Sequence, residues 1–172
     1  MKKLLSIIFL LFITLSCDKK TTLLDFPCNS LFIEDKDEFE GELMYKGHKL
    51  LLLDKSDKVV GFFQFLSPDL DVFYINLLLS DNFCVDNNTK VIFLFENGST
   101  TDYFVKSEDN CKGDILLIKP LSQEFSNKLL KGFRIKTFDG YIDYYLSETS
   151  ALELKKISSC FFDVAYEKTK NR

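Results

Sequence analysis

The chain predicts an α+β fold: one antiparallel sheet, or two packed sheets, built from consecutive hairpins and covered by a C-terminal helix. Three observations predict it. Aromatic and β-branched runs recur at strand length, as in Val59–Leu66, Val72–Leu79 and Lys90–Phe95, each too short for a typical helix. Glycine-bearing turns separate such runs at Glu96-Asn97-Gly98-Ser99 and Asp139-Gly140. Near the C-terminus, Leu154, Ile157, Phe161, Val164 and Ala165 recur at three and four, one apolar helical stripe.

The elements follow in order. Leu43–Tyr45 and Lys49–Leu53 flank the turn Lys46-Gly47-His48. Asp54–Lys58 is a polar turn before Val59–Leu66, and Ser67-Pro68-Asp69 a turn before Val72–Leu79. Lys90–Phe95 and Thr101–Val105 form a hairpin about Asn97-Gly98, whose residue types suit the positive φ angles of a type I′ turn. Asp114–Lys119 is a short strand ended by Pro120. Ser122 reads as a helix cap, with Phe125, Leu129 and Leu130 at helical spacing up to Gly132. Phe133–Phe138 and Tyr141–Leu146 make a second hairpin, and Ser150-Ala151-Leu152-Glu153 is a capping box that opens the final helix. The sum is about eight strands and two late helices, helices and sheet forming separate layers.

At the other end, Lys2 and Lys3 precede an apolar stretch from Leu4 to Ile13, then Thr14-Leu15-Ser16-Cys17. A basic start, an apolar core and a small residue before a cut make a secretory signal. The stretch is about half the ~20 residues a membrane-spanning helix needs. A cysteine directly after the small residue resembles the lipobox of bacterial lipoproteins. That resemblance implies a diacylglycerol on the Cys17 sulfur, cleavage before Cys17 and acylation of its new amino group. It divides the chain into a signal peptide (1–16), a lipidated tether (17–37) and a single α+β domain (38–168). It also places the protein in the cell envelope, on the periplasmic face or the outer membrane, with the leaflet open.

Loss of 16 of the 172 residues leaves 156, enough for one cored domain. Loss of Lys2 and Lys3 moves the formal charge from −4 to −6. An acidic body argues against nucleic acid as partner. Cys28, Cys84, Cys111 and Cys160 remain, an even number in an oxidising compartment, which predicts two disulfides. Three pairings are open; Cys28–Cys84 with Cys111–Cys160 is preferred. The cysteines are not near neighbours in sequence and His48 is the only histidine, so no zinc spacing appears and no metal or other cofactor is expected.

The search for catalytic chemistry is equally spare. Hydrolytic triads need a base beside a nucleophile, and His48 stands alone in a polar turn. The seven glycines form no phosphate-binding loop. The acids Glu34 to Glu42 read as a solvated arm. No enzyme is expected. In Tyr141-Ile142-Asp143-Tyr144-Tyr145-Leu146, alternation places Tyr141, Asp143 and Tyr145 on one face. Exposed tyrosines around an acid are the composition of a protein-binding surface. The plainer reading, that the final helix covers them, carries more weight.

The order of Asp37–Glu42, Asn97-Gly98, Asn110-Cys111-Lys112-Gly113 and Leu129–Ile135 leading into Asp139-Gly140 resembles small bacterial envelope lipoproteins, toxin-neutralising immunity proteins among them. This implies no catalytic residue. The expected function is a non-catalytic, membrane-anchored lipoprotein that binds a protein partner, in one form an immunity protein. The alternatives are a structural subunit of an outer-membrane or surface assembly, and a carboxylate-dependent envelope hydrolase.

Overall fold

A computed structural model describes residues 22–36, 43–68, 74–81, 83–86, 89–106, 111–118, 123–137 and 140–170. The leader, Cys17, the acidic run 37–42, Asn110, Ser122 and Asp139 lie outside them. Two single 3₁₀ turns, Leu23–Asp25 and Cys28–Leu31, precede β1 (Phe32–Lys36), β2 (Leu43–Gly47), β3 (Leu50–Leu53), β4 (Val59–Ser67) and β5 (Tyr74–Leu79). Then come β6 (Lys90–Phe95), β7 (Thr100–Phe104), β8 (Asp114–Ile118), α1 (Glu124–Asn127), β9 (Leu130–Thr137), β10 (Gly140–Tyr145) and α2 (Glu148–Lys170).

The strands form two antiparallel sheets. One runs β1-β2-β4-β5-β8, with β3 also on β4; the other runs β10-β9-β6-β7. Ten strands thus replace the eight expected, and only some are joined as consecutive hairpins. β2 and β3 do not pair with each other. Both lie along β4, β2 against Leu66 and Ser67, β3 against Val59 to Phe63. A nine-residue β4 is long enough to hold two short neighbours end to end. β5 reaches forward to β8, and β6 to β9. Bridges join the sheets at two corners, Val105 to Leu117 and Asp54 to Leu146.

Alternation directs one face of each sheet inward. Phe63 and Phe65 come from the six-stranded sheet, Phe93, Phe95 and Tyr103 from the four-stranded one. Between them stands Phe125 of α1, fully buried. Its ring centroid lies 5.0 Å from Phe93, 5.5 Å from Phe95, 6.1 Å from Tyr103, 6.3 Å from Phe63 and 6.4 Å from Phe65. These are the offset and edge-on separations aromatic rings favour. α2 packs on α1, β3, β9 and the 3₁₀ turns, with Leu154, Ile157 and Phe161 buried. Phe161 stacks on Phe65 at 5.6 Å.

Several local expectations are corrected. The first late helix is one turn, because Leu130 and Gly132 are claimed by β9. The last helix begins a turn earlier than its expected box: the Ser147 hydroxyl accepts from the Ser150 amide. Ser150 and Glu153 serve tertiary contacts instead, accepting from the amides of Leu53 and Leu23 at 2.9 Å each. The Asn97-Gly98 hairpin forms, but only Gly98 has positive φ, at 81°. The Gly98 amide donates to the Phe95 carbonyl and the Phe95 amide to the Ser99 carbonyl. This is a three-residue loop, a type I turn closed by a left-handed glycine, and it needs no positive φ at Asn97.

Within the expected tether, residues 22–36 form two 3₁₀ turns and a strand. Leu31 is buried and β1 pairs with β2. The disulfides join Cys28 to Cys160 and Cys84 to Cys111, in place of the preferred pairing. The first ties the N-terminal segment to α2 and the second ties two loops beside β8. Structural disulfides mark an oxidising, non-cytoplasmic compartment. No helix among the described residues is long and apolar enough to cross a membrane.

Two measurements test this frame. Phe125→Ala leaves a cavity that both sheets line, and the expected cost is about 3–5 kcal/mol in denaturant unfolding. In the chain-entropy model the Cys28–Cys160 loop of 132 residues is worth about 5 kcal/mol and the Cys84–Cys111 loop of 27 about 3.5. Replacing the first pair by serine is therefore expected to lower the unfolding midpoint more than replacing the second.

Candidate protein-binding faces

The four-stranded sheet turns its outer face to solvent. Tyr141 is 62 % and Tyr145 45 % exposed, while Tyr144 and Leu146 point inward. The expected cover by the final helix is overturned: α2 lies against α1, β3, β9 and the 3₁₀ turns and leaves both tyrosines open. The sequence therefore located these side chains correctly on one face but misjudged what stands over them.

Register brings Arg134 of β9 opposite Asp143. Its Nε and Nη2 donate to the two carboxylate oxygens at 2.5 and 2.7 Å. Cross-strand placement makes this bidentate geometry available without bending either strand. Hydrogen bonding from Arg134 holds the Asp143 carboxyl below its ordinary value, and Asp143 holds the guanidinium above its own. The same guanidinium lies over the Tyr141 ring, 5.2 Å from its centroid, and Lys55 lies 5.6 Å from that of Tyr145. Both rings are thus braced by a cation. Arg134 was missed in the sequence; the hairpin register would have found it, since it faces Asp143 across the Asp139-Gly140 turn.

Gly132 sits opposite both Leu94 and Tyr145. A dimple of about 230 Å³ opens between Ile92, Leu94, Thr100, Arg134 and Tyr145. A Cβ at Gly132 would collide with the Tyr144 carbonyl. On the other side of β10 a cleft of about 300 Å³ runs past Asp54, Lys55, Asp81 and Asp143. β10 is the sheet's edge strand here. The Leu146 amide donates to the Lys131 carbonyl. By alternation, the amides of Tyr141, Asp143 and Tyr145 face away from β9.

Three acids meet that cleft, and each is engaged. Asp54 accepts from the Ser56 and Lys58 amides of its own turn. Asp81 accepts from the Tyr144 hydroxyl at 3.0 Å. Burial first, then this bond, pushes the Tyr144 phenol above its ordinary value. Asp143 is shifted down, opposite to what a general acid needs. His48 is exposed and follows β2, its amide donating to the Leu31 carbonyl. Among the described residues, no three His, Cys, Asp or Glu side chains group as metal ligands.

The six-stranded sheet has an outer face that the sequence reading missed. Pairing sets Leu51, Phe62 and Leu78 in one row across β3, β4 and β5. All three are exposed, and so is Ile33 on β1. Near the middle of this face the Asn76 Oδ1 is buried and finds no donor among the described residues. An antiparallel sheet with one solvated face normally alternates apolar with polar. The signal was present in β3 and β5, where Leu50–Leu53 and Leu77–Leu79 are apolar at every position.

No family model, no curated protein and no solved structure matches the chain. The two faces therefore stand on their own geometry.

The Asp143 shift has a defined pH consequence. A depressed carboxylate contributes stability above its unfolded pKa and loses it as pH falls through its folded value, here below the ordinary 3.8. Carboxyl NMR titration is expected to show a midpoint under 3.8, and Arg134→Gln is expected to bring it back up. An unchanged midpoint in that variant would show that the pair is not formed in solution.

Proposed function

We propose that this chain is an exported lipoprotein, acylated at Cys17 and held at a membrane of the cell envelope, where it binds a protein partner without catalysis. The observation that carries the binding reading is the outer face of the four-stranded sheet. Tyr141 and Tyr145 stand exposed there, braced by Arg134 and Lys55, with the dimple beside Arg134 and Tyr145. Tyrosine and arginine dominate interface hot spots: tyrosine brings a large contact area with two rotors to freeze, arginine a planar fork of donors that also stacks on rings. Pre-bracing lowers the ordering cost further. A toxin-neutralising immunity protein is the specific form of this reading.

A second reading has its own support. The exposed Leu51–Phe62–Leu78 row, with Ile33 beyond it, favours a subunit packed face-on against a neighbour in a surface assembly.

Two experiments test these readings. Metabolic labelling with a fatty-acid analogue is expected to mark the protein, and Cys17→Ser is expected to abolish both the label and membrane retention. A photo-reactive residue in place of Tyr141 or of Phe62, irradiated in intact cells, discriminates the faces. The first reading expects a protein adduct at 141; adducts confined to 62 favour the assembly. With the partner in hand, Tyr141→Ala with Tyr145→Ala is expected to cost at least about 2 kcal/mol, roughly 30-fold in affinity.

A further inference from the structure

We propose that the first 3₁₀ turn is a second membrane contact: Leu24 and Phe26 seat in the lipid surface beside Cys17 and fix how the body stands on the bilayer. The inference rests on the acylation of Cys17 proposed above.

Five Cα steps separate Cys17 from Thr22, a reach of at most about 17 Å. A body of this size has a radius of gyration of about 15 Å. A leash of about that length keeps the Thr22 side of the body against the headgroups. There the chain is fixed to the fold at three points. The Leu23 amide donates to Glu153 Oε1 at 2.9 Å, the Lys156 ammonium donates to the Leu24 carbonyl, and Cys28 is bonded to Cys160. The turn cannot swing independently of α2.

Its side chains divide by direction. Leu23 packs against the core, whereas Leu24 is 37 % and Phe26 40 % exposed. Asp25 folds back, accepting from the Thr22 amide and hydroxyl at 3.2 and 3.3 Å. Two apolar side chains therefore stand outward where the leash begins. Contact of this kind inserts apolar side chains some 5–10 Å into the interface. With a formal charge of −6 after removal of the leader, the mature chain offers no general electrostatic attraction to anionic lipid. The attraction at this point is apolar.

The chain has no tryptophan, so one introduced residue is a unique fluorophore. The full acylated protein carrying Phe26→Trp, or in a second preparation Leu24→Trp, is reconstituted into phosphatidylethanolamine–phosphatidylglycerol vesicles with and without brominated acyl chains. Tyr141→Trp serves as the comparison. Emission at positions 24 and 26 is expected to fall by at least half in the brominated vesicles, and at 141 by less than a tenth. Equal emission with and without bromine at 24 and 26, in protein that floats with the vesicles, overturns the proposal. Equal quenching at all three positions overturns it too, because the body then has no fixed seat. A protein adduct captured by a photo-reactive residue at Leu24 in intact cells assigns the patch to that partner and removes the lipid. The acyl mass on Cys17, read on the same samples, separates the two levels. Its absence overturns the anchor and with it the leash, whereas acylated, floating, unquenched protein overturns the seat alone.

Discussion

The fold turns on a single ring. Phe125 touches rings of both sheets, and it is delivered by one turn of helix in the β8–β9 connection. The rings around it come from three strands, Phe63 and Phe65 on β4, Phe93 and Phe95 on β6 and Tyr103 on β7, so removing one ring is felt across the sandwich. α2 extends the same aromatic column through Phe161 on Phe65 and Phe32. The long helix is thus a lateral continuation of the core, and this keeps it off the outer faces of the sheets.

That placement decides what is available for recognition. Because α2 spends its apolar stripe on α1, β3 and the N-terminal turns, the outer face of the four-stranded sheet stays open. The side chains there do not stand loose. Arg134 forks onto Asp143 and lies over Tyr141, and Lys90 bonds Asp102 at 2.6 Å while lying over Phe104. Exposed ion pairs of this sort add little to stability. Their effect is to limit the rotamers of the aromatic side chains they touch.

The Cys28–Cys160 bond links the point where the chain enters the fold to the middle of the helix that completes it. Force or orientation imposed at the N-terminus passes to α2 and from there to the core, bypassing the β1 edge. Cys84–Cys111 plays a more local part. It sits beside Gly113, whose φ of +68° and close approach to the Asp81 carbonyl leave no room for a side chain. The loop so held carries Asp81 to the Tyr144 hydroxyl across the cleft.

By itself the sequence determined the antiparallel character of the chain, the late helical stripe, the hairpin closed by Gly98 and the alternation that exposes Tyr141, Asp143 and Tyr145. These depend on residues within a few positions of one another, where periodicity and turn chemistry act directly. It also predicted two disulfides, through the four cysteines that remain once Cys17 is set aside. Tertiary structure alone decided which cysteines pair, because pairing depends on where two distant backbones meet. It decided that β2 and β3 share β4, since strand partners answer to edge length and burial more than to sequence order. It drew Leu130 into a strand although its spacing is helical, because β6 offered it a ladder. It turned Ser150 and Glu153 from a local cap to distant amides, because a helix end inside a fold satisfies whichever donors packing brings to it.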